Sequence, residues 1–191
     1  MRHILSIVIL YLFQINILQG QIKFEKEKRI KEKDVPEAAL NFIKDSNIDK
    51  AMKWYQEINQ SGTSFEAKGI YMHSKHSIEF NKSGHIEDVE IEVERKQLPI
   101  KTLASIENYL SREYEAFKLK KIQKQWTGKA EFLKASIKSG QKHPDIQLNY
   151  ECVAFIKSDG EYRSYEFLFS ANGDYKSAFK IIEDSRTNIE F

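Results

Sequence analysis

The sequence predicts an α+β protein made of two tandem repeats, each a helix followed by a four-stranded antiparallel sheet. Three observations carry this expectation: two amphipathic helical stripes that each open on an apolar–proline pair, four alternating stretches behind each stripe, and the same order of elements in both halves. A helix with one apolar stripe and a sheet with one apolar face can bury those surfaces only against each other.

The chain opens on Met1-Arg2-His3, and from Ile4 to Ile22 it carries no formal charge. A short basic segment before an apolar run is the pattern of a secretory signal. Residues 1–20 are read as a signal peptide cleaved after Gly20; the alternative is an uncleaved anchor, because the run approaches the roughly 20 residues that cross a bilayer. Residues 21–33 form a polar leader, either solvated or an extra edge strand, with five Lys and one Arg against three Glu over Lys23–Lys33.

The first repeat is read over 34–95. Val35, Ala38, Ala39, Phe42 and Ile43 recur at helical spacing. Pro36 suits a first turn, and Asp34 with Glu37 three residues on has the pattern of a capping box. Met52, Trp54 and Ile58 share one side of a strand, with Tyr55 opposite beside Lys53 and Glu57. Phe65, Ala67, Ile70 and Met72 follow, with Gly69 read as a bulge where the phase slips. His76–Phe80 leads through a Gly84 turn to a strand in which Val89, Ile91 and Val93 alternate with Asp88, Glu90, Glu92 and Glu94, so one sheet face is apolar and the other acidic.

The second repeat is read over 96–191. Leu98-Pro99 echoes Val35-Pro36, and Leu103, Ile106, Leu110 and Tyr114 mark a longer helix. Trp126 stands where Trp54 stood, Tyr150-Glu151-Cys152 echoes Phe65-Glu66-Ala67, and the Gly173 turn answers Gly84. An insertion at about 127–147 contains a helical turn around Ala130 to Ile137.

Composition narrows the function classes. The 191 residues carry 30 Lys+Arg and 28 Asp+Glu, and losing residues 1–20 leaves a net charge of +1, so no broad basic footprint for nucleic acid exists. One cysteine builds neither an internal disulfide nor a multi-thiolate metal site. Cys152, in an apolar strand with no nearby histidine in sequence, reads as packing. His73, His76 and His85 are the only histidine cluster that could hold a metal, and only if Ser74-Lys75 bend the chain. Glu87, Asp88, Glu90, Glu92 and Glu94 read as a solvated outer face, fit to choose a basic partner, rather than an acid/base pair. No phosphate loop, nucleophile elbow or zinc-protease motif is present.

The signal, the Val35-Pro36 and Leu98-Pro99 helix starts, the Trp54 and Trp126 strands and the Gly84 and Gly173 turns resemble the PepSY-like family of bacterial secreted proteins, whose modules are similar to those of β-lactamase-inhibitory protein. The resemblance implies tandem modules, a periplasmic or extracellular place, and binding or inhibition of a secreted hydrolase. The expected function is therefore an exported, non-enzymatic module that binds a protein through its sheet face, without a cofactor and without membrane contact after signal cleavage. Tyr55, Tyr71 and Tyr162 are the expected partner-binding residues. The alternative is a periplasmic small-ligand or metal-binding protein.

Overall fold

The computed structural model describes residues 21–24, 26–48, 52–59 and 62–182. The expected signal peptide lies outside the described residues. Strand β1 (Gln21–Phe24) is followed by β2 (Lys26–Ile30), helix α1 (Glu37–Asp45) and strands β3 (Met52–Asn59), β4 (Gly62–Tyr71), β5 (Ser74–Asn81) and β6 (Ile86–Glu92). Helix α2 (Ile100–Glu113), β7 (Ala116–Thr127), α3 (Ala130–Ser139), β8 (Gln147–Ser158), β9 (Glu161–Ser170) and β10 (Tyr175–Ile182) complete the order. No described helix is long and apolar enough to cross a membrane.

The expectation of two helix-plus-four-strand repeats is corrected by the sheet. All ten strands lie in one sheet, ordered β1-β10-β9-β8-β7-β6-β5-β4-β3-β2, antiparallel throughout except where β1 runs parallel to β10. The reason lies at the supposed seam, where Val89 to Glu92 of β6 pair directly with Trp126 to Gln123 of β7. One row, Trp54–Ala67–Ile78–Val89–Trp126–Leu148, crosses from β3 to β8 without interruption. The inserted segment folds as the full helix α3, and its Leu133 and Ile137 join α1's Phe42 and Ile43 over Trp54, Phe80 and Trp126. Helix α2 covers Tyr150, Cys152, Phe167 and Phe169 with Ile106 and Leu110.

Local chemistry explains the helix starts. Pro36 and Pro99 occupy the positions before α1 and α2, each without a side-chain cap. The expected Asp34–Glu37 capping box does not form, because Glu32–Asp34 close a 3₁₀ turn instead. Gly84 and Gly173 have φ of 79° and 85°, and a Cβ at either would fall 2.8 Å from Pro36 Cβ or 2.6 Å from the Thr102 carbonyl oxygen. Glycine there lets each hairpin turn rest on the first turn of a helix. Gly69 is not a bulge: β4 and β5 pair in register through it, and the shift lies at Glu79/Phe80 on the β5–β6 side.

The two margins of the sheet are held by one run of chain. Phe24 pairs with Ile182 of β10, while Lys26, two residues later, pairs with Ile58 of β3. Ten strands laid flat at about 4.8 Å spacing would put the margins roughly 40 Å apart, yet alternate Cα atoms are at most about 7 Å apart. The sheet therefore rolls on itself, and β1 with β2 forms its closing strand. The three helices pack on the outside, because the outer face carries the apolar side chains, Trp54, Ile78 and Trp126 under α1 and α3 and Tyr150 and Phe167 under α2. The other face of the sheet lines the hollow.

Candidate binding hollow

Alternation along each strand assigns the inner residues. Glu66 is flanked by the outer-face core residues Phe65 and Ala67, and Glu151 by Tyr150 and Cys152, so each points inward. Register then lines up three polar rows: Tyr55–Glu66–Glu79–Asp88, Lys53–Lys68–Ser77–Glu90–Gln125–Asn149, and Glu92–Gln123–Glu151. Among the described residues no helix covers this face, yet Tyr55 is 1 % exposed, Glu66 4 % and Glu90 6 %. Curvature contributes, because side chains on the inside of a roll converge and shield one another.

The expected solvated acidic face is thus on the right side of the strand but not in solvent: Asp88 and Glu90 are buried, Glu92 is half-buried, and only Glu87 and Glu94 are exposed. Burial of so many polar groups requires partners. Lys176 Nζ donates to Asn149 Oδ1 at 2.7 Å, Asn149 Nδ2 to Gln125 Oε1 at 3.2 Å, and Gln125 Nε2 to Asp88 Oδ2 at 3.1 Å, a relay from β10 to β6. Gln123 Nε2 donates to Glu90 Oε2 at 2.8 Å. Burial, and then the carboxylates of Glu151, Glu79 and Asp88, hold Glu90 well above the usual carboxylate range.

A second acidic group lies toward β2. Lys68 Nζ is 2.7 Å from Glu66 Oε2 and also pairs with Glu27, while the Ser77 hydroxyl donates to Glu66. Burial works against the Lys68 charge, but Glu66 and Glu27 outweigh it and raise its proton affinity. Its ammonium lies 5.4 Å from the centre of the Tyr55 ring.

The hollow opens into a depression of about 600 Å³ lined by Lys53, Lys68, Ile70, Lys75, Glu90 and Gln123, among others. Ile70 at its edge is 68 % exposed. A wider depression of about 850 Å³ runs along residues 28–34 and 52–54, but no buried polar side chain lines it. Only the first combines a ligand-sized volume with fixed polar groups.

The three expected tyrosines are not brought together. Tyr55 lies inside the roll, shut from solvent; Tyr71, half-buried, packs on the helix side against His76; Tyr162, 60 % exposed, stands on β9 beside the β8–β9 turn. The histidines are separated too. His73 occupies the β4–β5 turn with φ of 64°, and His85 follows the other end of β5, eight residues or about 26 Å away. His76 is buried, its Nδ1 3.0 Å from the Ser74 carbonyl oxygen. The three cannot share an ion. Burial, and the Glu151 charge behind it, push the Cys152 thiol up to about 12, which keeps it un-ionised.

Sequence reading misses Glu66, Lys68, Gln123, Asn149 and Glu151 as a set, because their meeting depends on register and on the roll. For Glu66, Asn149 and Glu151 the available signal is a lone polar residue between two apolar ones in mid-strand.

No protein-family model matches the sequence, and no curated protein does. The PepSY-like assignment is therefore not confirmed. Solved structures share the fold at low identity. A DUF2874 family protein from Bacteroides ovatus is 13 % identical, with 76 % of this chain and 87 % of that one covered at a TM-score of 0.50. A predicted periplasmic protein from Bacteroides eggerthii is 11 % identical, covering 76 % of this chain and 88 % of that one, also at 0.50. A BLIP-like protein from Bacteroides fragilis is 14 % identical, over 77 % and 89 %, at 0.45.

Proposed function

We propose that this chain is an exported, non-enzymatic binding module that docks a protein partner across the mouth of its rolled sheet. The observation that carries the reading is the depression of about 600 Å³, with an ordered polar floor and a rim bearing Lys53, Lys75, Lys121 and the exposed Ile70. Glu92 lies 3.6 Å from Lys75 on the same rim, and the three lysines leave the rim with a net positive charge, so the partner fits it with acidic side chains around an apolar contact to Ile70. Complementary charge of this kind sets encounter rate and specificity. The apolar run at Ile4–Phe13 supports export, and the un-ionised, buried Cys152 supports a non-enzymatic role. Occlusion of a secreted hydrolase is the form of binding the sequence resemblance suggests; it needs complementary contact over about 1,600 Å² rather than chemistry.

The test is capture from envelope and secreted fractions of the source cell with the mature chain, beside a Lys75→Glu/Lys121→Glu variant of equal thermal stability. A partner retained by the parent and lost by the variant, its contact mapped to β4–β7 by hydrogen exchange, is the expected result. Equal capture by both, or turnover of a substrate by the purified chain, overturns the reading.

A further inference from the structure

Strand β7 pairs with β8 from end to end, but on its other side only as far as β6 reaches. Glu92 pairs with Gln123, the Val93 N–H donates to the Ile122 carbonyl oxygen at 2.9 Å, and the chain then leaves for α2. From Ala116 to Lys121, about 20 Å of strand, β7 has no neighbour on that side among the described residues. Its side chains pass from buried at Ile122 and Gln123 to exposed at Lys118, Lys120 and Lys121. A bare edge presents a row of backbone donors and acceptors, a template for one more strand.

The side chains of this edge are sorted by face. Val153 and Phe155 alternate with the core residues Cys152, Ala154 and Ile156, so they point inward. Register sets Lys121 beside Val153 and Lys118 beside Phe155, and the bulged Lys120 holds its ammonium 5.0 Å from the centre of the Phe155 ring. Phe117 and Leu119 point the other way and are half-buried against the α2 core. Three cations therefore line the inner side, none with a carboxylate partner among the described residues, and two incompletely covered apolar side chains line the outer. Lysines and a bulge keep a bare edge from pairing with a copy of itself. They leave it open to a strand of opposite charge.

We propose that the partner adds a strand to β7 at Ala116–Lys121: an extended segment in which acidic and apolar residues alternate. Its carboxylates lie over Lys118, Lys120 and Lys121, and its apolar side chains cover Phe117 and Leu119. Main-chain hydrogen bonds hold such a strand and the alternating side chains select it, which favours a polypeptide over a polyanion without amides. Lys121 belongs both to this edge and to the rim of the depression of about 600 Å³, so the added strand leads to the mouth of the hollow. The inference rests on the reading of the chain as a protein-binding module and supplies the form of the contact.

The experiment titrates the mature chain with a capped peptide of alternating Glu and Val, matched in length to Ala116–Lys121, and reads amide hydrogen exchange residue by residue. Exchange that slows at alternate residues of Ala116–Lys121 and saturates with peptide is expected. Lys118→Glu/Lys120→Glu weakens binding by at least about tenfold. A fully N-methylated peptide of equal charge, which cannot donate to a ladder, gives no protection of the unaltered chain. No slowing at this edge up to about 1 mM peptide overturns the proposal. So does equal binding of the N-methylated peptide, or a dimer of the mature chain that covers the edge. Capture lost through Lys75→Glu/Lys121→Glu while the peptide leaves the edge unprotected strikes the added strand and keeps the docking mouth. Protection by the peptide beside capture that ignores Lys75 and Lys121 strikes the mouth and keeps the edge.

Discussion

The Lys68 and Glu90 regions of the hollow start from the same problem, buried carboxylates crowded on neighbouring strands, and meet it differently. Around Lys68 the chain supplies its own cation, and ion pairs to Glu66 and Glu27 offset the burial of all three. Around Glu90 it supplies the Gln123 amide, and burial together with the carboxylates of Glu151, Glu79 and Asp88 raises the proton affinity of the Glu90 carboxyl. A lysine fixes one charge state over a wide pH range. A buried carboxyl among other carboxylates, with an amide donor, has its charge balance set by pH within a narrower range.

Breaking the Lys68 side has the largest expected effect. Lys68→Ala leaves Glu66 and Glu27 facing each other and costs about 2–3 kcal/mol, less than a fully buried pair because the lysine side chain is 24 % exposed. Urea unfolding of the variant measures it, and a loss near zero would mean that the ion pairs merely break even against solvation. The benefit of Lys68 is present below about pH 10.5 and fades as pH rises through its raised folded value.

Glu90→Gln carries the opposite sign. Glu90's own contribution is most favourable below the ordinary carboxyl value of 4.5 and declines as pH climbs from there toward its raised folded value, because the folded state keeps a proton that the unfolded chain has given up. The variant removes that slope and gains on the order of 1 kcal/mol at neutral pH, or about 2–4 °C in Tm for a chain of this size. Melts of parent and variant from pH 4 to 8 check it; a variant whose advantage over the parent does not grow across this window contradicts the comparison.

The rim sets the lower bound. Lys121 is exposed, and Lys121→Glu alters stability by less than about 0.5 kcal/mol. A larger loss would place Lys121 within the buried network.

Much of the local structure is legible in the sequence. The stripes around Phe42 and Ile106 give α1 and α2, and the alternation at Asp88–Glu92 gives the inward side of β6. What periodicity lacks is the pairing between distant strands. Two copies of one pattern suggest two units, and only the β6–β7 register shows that they share a sheet. The same gap makes Asp88 and Glu90 look solvated: alternation says which way a side chain points, whereas exposure depends on what meets that face and on curvature, which follows from residues 21–24 and 26–30 pairing with opposite margins. Tyr55 illustrates both sides of this, since its direction is readable and its near-complete burial is not.

The closing strand also bears on when the protein can finish folding. Residues 21–24 pair with 179–182, a contact that spans nearly the whole chain. Pairings of such sequence separation form late, because the loop they close costs entropy before any contact repays it. A chain made from its amino terminus has its first strand waiting for its last, so the roll stays open until β10 is complete. The incomplete chain needs shelter from aggregation in the interval before β10 arrives.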